Sequence, residues 1–268
     1  MPLLSIITVG MNHRVFIQAL YDSLFVTCIP KLDFEAIYVD NCSTDDSVGF
    51  IREKYPQVKV IVNSEKLGFG ENNNKGVLAS TGDYIGIMNP DIILKEGSID
   101  KVIEKAQEMS GRGVFAPQLL NPDGSVQYSV RKFATLKMML QRWMSWENDN
   151  SNNSGVREYL CKDIDNCKTQ KVDWAMGAAL FMSRDVYAQL GGFDQRYFLY
   201  MEDEDLCLRA WQQGIPVIYY PESQMTHNHL KGSRKLGKKT FYHLKSLFTF
   251  FRRHGFNAKR IDNYREES

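Results

Sequence analysis

Four stretches carry side chains whose type and spacing could do chemistry. The first is Tyr38-Val39-Asp40-Asn41-Cys42-Ser43, with Asp45 just beyond. A carboxylate that closes an apolar run can accept the N–H of a nucleotide base or the hydroxyls of a ribose, while Ser43 or Asp45 would serve equally to cap a following helix. The second, Met88-Asn89-Pro90-Asp91, ends an apolar run in one acid. That acid could hold a divalent cation against a diphosphate, or simply close a Pro-Asp turn. The third is Tyr200-Met201-Glu202-Asp203-Glu204-Asp205-Leu206. Four consecutive acids repel one another; a helix N-terminus offsets this through its dipole, and a general base beside a cation and a substrate hydroxyl is their chemical use. The apolar flanks, Tyr197 to Tyr200 and Leu206 to Leu208, argue against a fully solvated run. The fourth is His227-Asn228-His229. On a strand the two rings would face one way and could chelate, but a position just before Gly232-Ser233 predicts a loop.

These groups need elements that bring strand ends together. A short apolar run at residues 3–9 predicts a strand buried on both faces, and runs at 34–40, 58–62 and 84–88 predict three more strands. Between them lie helical stretches: roughly Arg14 to Thr27, one from the Ser43–Ser47 caps to about Tyr55 where Pro56 stops it, and one opened by Gly68-Phe69-Gly70 that ends near Gly82. This alternation predicts an α/β fold with a mostly parallel sheet flanked by helices. Ligands of such sheets sit outside the carboxyl ends of the strands, here Asn12, Asp40, Asn63 and Asn89-Pro90-Asp91. Beyond residue 100 the pattern is less regular. It predicts a strand at Val114 to Pro117, a hairpin continuing through Ser125 to Phe133, a loop or flap over residues 145–170, and a strand or strand pair from Val172 to Ser183. A helix from Leu206 to Gln213, closed by Gly214, and a strand at Ile215 to Tyr220 complete it.

The chain has 268 residues, 43% hydrophobic and 24% charged, which excludes a disordered chain, a collagen-like repeat and a coiled coil. A net charge of +1 excludes a globally basic nucleic-acid binder. The charge is unevenly placed: the last 38 residues carry +8 and the first 230 carry −7. Five cysteines without a C-x-x-C pair, and a start without a signal peptide, point to a reduced cytosolic compartment. Cys161 and Cys167 lack a second pair to complete a zinc site. No apolar run approaches the ~18 residues of a membrane span.

Taken in order, V-D-N-x-S-x-D, L-G-F-G-x-N-N-N-x-G, N-P-D, F-L-Y-M-E-D-E-D-L-C-L-R and P-E-x-x-x-x-H resemble the family 2 glycosyltransferases of the GT-A fold, most closely their rhamnosyltransferase-like branch. The resemblance spans about residues 3–233. It implies an inverting, metal-dependent transfer of a sugar from a nucleotide-diphosphate donor, dTDP-rhamnose or a UDP-sugar, to a saccharide acceptor on a lipid carrier in cell-surface polysaccharide synthesis. By the same resemblance Asp40 binds the pyrimidine, Thr8 and Asn12 line its pocket, and Gly68 and Asn74 pass near the ribose and diphosphate. Asn89-Pro90-Asp91 stands for the D-x-D motif, with Asn89 replacing its first acid. Asp91 and His227 then ligate Mg²⁺ or Mn²⁺, Asp203 is the general base, and Trp174 and Gly177 form the wall of the acceptor and donor-sugar pocket. Residues 1–100 become the nucleotide-sugar half, residues 101–233 the acceptor half, and residues 234–268 a basic amphipathic tail.

In that tail Phe241, Leu244, Leu247, Phe248 and Phe251 are predicted to fall on one helical face, with Lys238, Lys245, Arg252 and Arg253 around it. Such a helix, over residues 238–254, lies in an anionic membrane surface or packs its stripe on the domain or a second copy of the chain, a homodimer. Contact with the membrane would place a cytoplasmic enzyme at the inner leaflet. Two other readings compete. A sugar-nucleotide pyrophosphorylase would need a Gly-rich loop and a Lys after the first strand, which Thr8-Val9-Gly10-Met11-Asn12-His13 lacks. A non-catalytic nucleotide-sugar or membrane-binding relative would be expected to have lost Asp91, Asp203 or His227, and all three are present.

Overall fold

Strand β1 (Leu4–Gly10) is apolar at almost every position because it is covered on both faces. Ile7 packs with Ile37, Val39 and Val77 on one side, while Leu4 and Ile6 pack with Leu20, Tyr21 and Tyr38 on the other. The computed structural model of the chain describes residues 1–136, 138–139, 154–228 and 238–260. Strands β2 (Phe34–Asp40), β3 (Lys59–Val62) and β4 (Tyr84–Met88) join β1 in parallel, in the order β3-β2-β1-β4. Helices α1 (Arg14–Asp22), α2 (Ser47–Lys54) and α3 (Phe69–Leu78) make the crossovers. The helix expected from Arg14 to Thr27 stops its regular turns at Asp22 and finishes in one wide π-type turn, Ser23–Thr27.

Beyond β4 the sheet becomes mixed. A short β5 (Ile92–Leu94) follows Asp91 directly, then α4 (Ser98–Glu108) and β6 (Val114–Leu120). The expected hairpin after β6 is reduced to a single bridge, Leu120 to Val126, before β7 (Val130–Arg131) pairs with β9 (Trp174–Ala175) in a separate ribbon. Strand β10 (Ala179–Ser183) runs antiparallel between β4 and β6, and β11 (Val217–His227) runs parallel to β6. Strand β8 (Gln170–Lys171) and β5 both pair with β11, completing a nine-stranded sheet. The last strand runs well past the expected Tyr220, so His227 ends a strand and does not lie on a loop. Register shifts between Tyr220 and Gln224, and the strand resumes beyond the irregularity. His229 lies outside the described residues.

The region expected as a loop over residues 145–170 contains a helix, α5 (Ser154–Tyr159), whose Val156 and Tyr159 are buried; residues 145–153 lie outside the described residues. Helices α6 (Arg184–Leu190) and α7 (Glu202–Gln212) cover the same face as α3. Helix α7 begins four residues before Leu206, so the acidic tetrad forms its first turn, where the dipole favours it. Tyr200 and Met201, both with φ near +69°, turn the chain into it. The final helix, α8 (Lys238–His254), packs one side on this layer through Phe250 and Phe251. Among the described residues no helix is long and apolar enough to cross a membrane.

Gly68 shows how tightly these parts fit. A Cβ there would lie 2.9 Å from the Phe198 carbonyl oxygen and 3.0 Å from its Cα, and Phe69 N–H donates to that same carbonyl at 2.9 Å. Gly68→Ala is expected to lower stability by about 1–3 kcal/mol, since backbone cannot swing aside as a side-chain tip can. Urea melts of the two proteins check this.

Candidate functional site

Strand order reverses around β1, with β2 on one side and β4 on the other, so the carboxyl ends of β1, β2 and β4 open a crevice. Asp40 ends β2 there, only 1% exposed. Its Oδ2 accepts Ser43 N–H at 3.0 Å, and its Oδ1 is buried with no hydrogen-bond partner. The capping work falls to Asp45, which accepts from Ser47 N–H at 3.1 Å and from Arg14 N–H at 3.0 Å. Asp40 Oδ1 thus keeps an unused acceptor at the buried carboxyl end of β2. Asn12, in the left-handed region at φ +59°, ties the β1 and β2 loops together. Its Oδ1 accepts Thr44 N–H at 2.7 Å, and its N–H donates to Ser43 Oγ at 3.0 Å. Thr8 is wholly buried within β1, so no surface of its side chain is offered to the crevice.

Asp91 and His227 meet although 136 positions separate them, because His227 pairs with Ile92 across β11 and β5. Asp91 Oδ1 lies 3.3 Å from His227 Nε2, and Asn228 N–H donates to the Asp91 carbonyl at 2.8 Å. Burial pushes the Asp91 carboxyl up, but its bond to the His227 ring and the charges of His227 and His13 outweigh this and hold it below its ordinary value. On the far side of the ring, His227 Nδ1 is 2.6 Å from Gln127 Oε1. Gln127 is itself anchored by its Nε2 on Asn121 Oδ1 at 3.0 Å. A protonated Nδ1 would donate to that amide oxygen, and Nε2 is the ring nitrogen that faces Asp91.

The donor set suits a hard or borderline divalent cation. Two ligands of one six-coordinate ion at ~2.1 Å bonds stand about 3 Å apart, close to the observed pair. Among the described residues no group of three or more His, Cys, Asp or Glu side chains converges. An ion here would complete its shell with phosphate oxygens and water.

Asp203, in the first turn of α7, is held on both oxygens: Oδ2 accepts Gly177 N–H and Oδ1 accepts Glu204 N–H, each at 2.9 Å. Burial raises its carboxyl above the ordinary value, opposed by those two N–H groups and by the Arg131 charge. One residue beyond Gly177, the Ala178 carbonyl accepts Asn89 N–H at 2.9 Å. The carboxylate on α7 is thus joined through the 177–178 backbone to the Asn89-Pro90-Asp91 corner.

Three expected site residues have other work. Asn74 Oδ1 accepts Tyr187 O–H at 2.5 Å and Phe193 N–H at 2.9 Å, while its Nδ2 donates to the Phe193 carbonyl at 2.8 Å. Its amide clamps the Gly192-Phe193 turn and is not turned to a ligand. Trp174 is buried in the core with its indole N–H on the Lys132 carbonyl at 2.8 Å. Gly68 likewise meets the Phe198 backbone and not the crevice.

Arg131, which carries no sequence signal of its own, and the other acids of the tetrad surround Asp203. Arg131 stacks over Trp174 and Tyr159, 5.5 and 5.6 Å from their ring centroids. Burial, together with the Asp203 charge, drives the Glu202 carboxyl well above its ordinary value, and burial pushes Glu204 up to about 8 although Ala134 N–H bonds it at 2.6 Å. Asp205 points away from the crevice, into ion pairs with Arg209 and α8.

Residues 5–191 match the family described as Glycosyl transferase family 2. The N-acetylglucosaminyl-diphospho-decaprenol L-rhamnosyltransferase of Mycobacterium tuberculosis is 30% identical over 206 residues, which are 72% of this chain and 66% of that protein. The chain thus spans just under two thirds of the length of this relative. Rhamnosyltransferase WbbL of Escherichia coli is 32% identical over 197 residues, covering 69% of this chain and 70% of its own. The crystal structure of GalNAc-T7 with UDP, GalNAc and Mn²⁺ has the same fold, with a TM-score of 0.69 at 14% identity over 94% of this chain and 48% of that one.

Proposed function

The chain belongs to glycosyl transferase family 2, and from that premise we propose that it moves a sugar from a nucleotide-diphosphate donor to an acceptor hydroxyl with inversion at C1. The observation that carries the reading is the backbone link just described, from Asp203 through Gly177 and Ala178 to the Asn89-Pro90-Asp91 corner. It sets a carboxylate of raised proton affinity against a pair fit to meet a diphosphate.

Asp40 Oδ1 accepts the N–H of the pyrimidine and holds the nucleotide at the carboxyl end of β2. Asp203 receives the acceptor hydroxyl proton as that oxygen bonds to C1. The C1–O bond to the β-phosphate breaks on the opposite face, and the nucleoside diphosphate leaves with the bonding pair. One displacement inverts C1 without a second carboxylate acting as nucleophile. Mg²⁺ or Mn²⁺ held by Asp91 and His227 would offset the charge on the departing diphosphate. Gln127 then matters through His227 alone: Gln127→Ala is expected to weaken Mn²⁺ binding about 10–100-fold, read by calorimetry in the presence of UDP or dTDP.

The donor is dTDP-rhamnose or a UDP-sugar, and the acceptor a saccharide on a lipid diphosphate carrier used to build cell-surface polysaccharide. Two relatives named as rhamnosyltransferases, one of them for an N-acetylglucosaminyl-diphospho-decaprenol acceptor, support this choice. The work would be done at the cytoplasmic face of the membrane. The test is a panel of UDP-, dTDP- and GDP-sugars with Mn²⁺, Mg²⁺ or chelator, reading nucleoside diphosphate release. Metal-dependent release from one donor, lost in Asp91→Ala, supports the reading. Nucleotide binding without turnover, even with a lipid-linked acceptor, overturns it in favour of a non-catalytic relative.

A further inference from the structure

Helix α8 shows different faces to different surroundings. Its inner face is fixed: Ser246 Oγ donates to the Leu199 carbonyl at 2.9 Å, and Tyr242 stacks on Phe198 with ring centroids 4.6 Å apart. His243 lies 5.1 Å from Tyr200, and Phe250 and Phe251 are buried. The stripe that the sequence predicts as one face is therefore divided. Leu247 and Phe251 turn inward, while Phe241, Leu244 and Phe248 are 65%, 63% and 69% exposed. The spacing of these three, i, i+3 and i+7, sets them in one outward stripe. Lys245 and Arg252 sit four residues after Phe241 and Phe248, on the same side of the helix, and both are exposed. Phe256, just past the helix end, is also exposed, its ring 5.3 Å from that of Phe251.

We propose that this outer face of α8 docks the protein on an anionic lipid bilayer. Exposed aromatics belong at the boundary of headgroups and acyl chains, and cations beside them meet anionic headgroups. Residues 231–260 hold ten Lys or Arg and no Asp or Glu, so nothing acidic on this segment opposes the approach. The −7 carried by the first 230 residues turns the rest of the chain away from the same surface and orients the encounter. A second copy of the chain fits less well. A two-fold contact would set this patch against itself and bring Lys245 and Arg252 towards their own counterparts. The inner face gives docking a consequence at the site, because it grips residues 198–205, which include Asp203. This consequence rests on the lipid-linked acceptor proposed above: the bilayer would present the acceptor to an active site whose orientation α8 has fixed.

The experiment is flotation of the full chain with vesicles of phosphatidylcholine alone and of phosphatidylcholine with phosphatidylglycerol, at low and high salt. Wild type is expected to float with the anionic vesicles, less so as salt rises. Phe241→Ser/Leu244→Ser/Phe248→Ser and, separately, Lys245→Glu/Arg252→Glu are each expected to lose about tenfold or more of that partitioning. The second variant keeps the test valid if thermal melts show the first to be unfolded. No flotation of wild type, or equal flotation of folded variants, overturns the proposal. So does a wild-type dimer that the triple variant dissociates without any vesicle binding, which would assign the face to a second copy. Flotation without sugar transfer would sink the transferase reading and leave docking standing, whereas transfer to a water-soluble acceptor without flotation would do the reverse.

Discussion

Replacing Asp203 by asparagine is expected to lower turnover by about 10²–10⁴-fold, the usual worth of a positioned general base, with the donor KM nearly unchanged. The contacts proposed for the donor, Asp40 and the Asp91–His227 pair, lie on other elements. Asparagine is close in size and retains one side-chain oxygen for the Gly177 or Glu204 N–H, so the helix start should survive. The pH profile gives a sharper test. Burial raises the Asp203 carboxyl, and only its ionised form accepts a proton. Activity should therefore rise with pH through a midpoint above that of an ordinary aspartate and fall as the medium becomes more acidic. Arg131 opposes the rise, so Arg131→Gln should move the acidic limb to still higher pH. A variant that merely loosened the fold would lower activity at every pH without moving that limb. Rate profiles of wild type, Asp203→Asn and Arg131→Gln decide between these outcomes.

The parallel half of the fold was legible because β1, β2 and β4 are covered on both faces. Continuous apolar runs such as Ile6-Ile7-Thr8-Val9 and Ala36-Ile37-Tyr38-Val39 have few other uses. Their polar ends then located Asp40 and Asp91 with little further information. The second half was harder to read. His227 ends a strand that resumes past the register shift after Tyr220, and that irregularity hides the last residues of β11 from any alternation pattern. The Gln127 contact to His227 spans 100 positions and has no local sign. Asn74 was placed near the ribose and diphosphate by the L-G-F-G-x-N-N-N-x-G resemblance, and a motif does not name a side chain's partners. Its partner, the Phe193 backbone, is brought to it only by packing of α3 against the chain that follows α6. The tail helix was recognised by its 3.6-residue period, but a period cannot divide a broad apolar face between a protein and a solvent side. That division depends on where Leu199 and Asp205 present their acceptors.

Asp205→Ala is expected to cost about 3–5 kcal/mol, because it removes one buried charge and leaves its partners behind. Asp205 is fully buried, with Oδ2 at 2.7 Å from Arg209 Nε and Oδ1 at 2.7 Å from His254 Nε2 and 3.1 Å from Arg253 Nη1. Tyr197 O–H adds a bond at 3.2 Å. Arg209 would keep the Leu190 and Gly192 carbonyls, so the loss should concentrate on α8, whose His254 and Arg253 grip the body here. Burial alone would raise the Asp205 carboxyl, but His254 and the two arginines outweigh it and hold it below its ordinary value. Asp194, which pairs with Arg196 and Arg253, is likewise held at about 2 in spite of burial. A carboxyl lowered on folding contributes stability above its unfolded pKa and loses it as pH falls through the folded one. The stability gap between wild type and Asp205→Ala should therefore be full near neutrality, shrink below the ordinary aspartate range and close at strong acid. Hydrogen exchange should show amides of α8 opening before those of β1 and β2 along that descent. Because the same helix carries the outward stripe, a chain with α8 released should still bind anionic vesicles while losing transfer to a lipid-linked acceptor. Simple global unfolding predicts a different pattern, with protection lost together in every element.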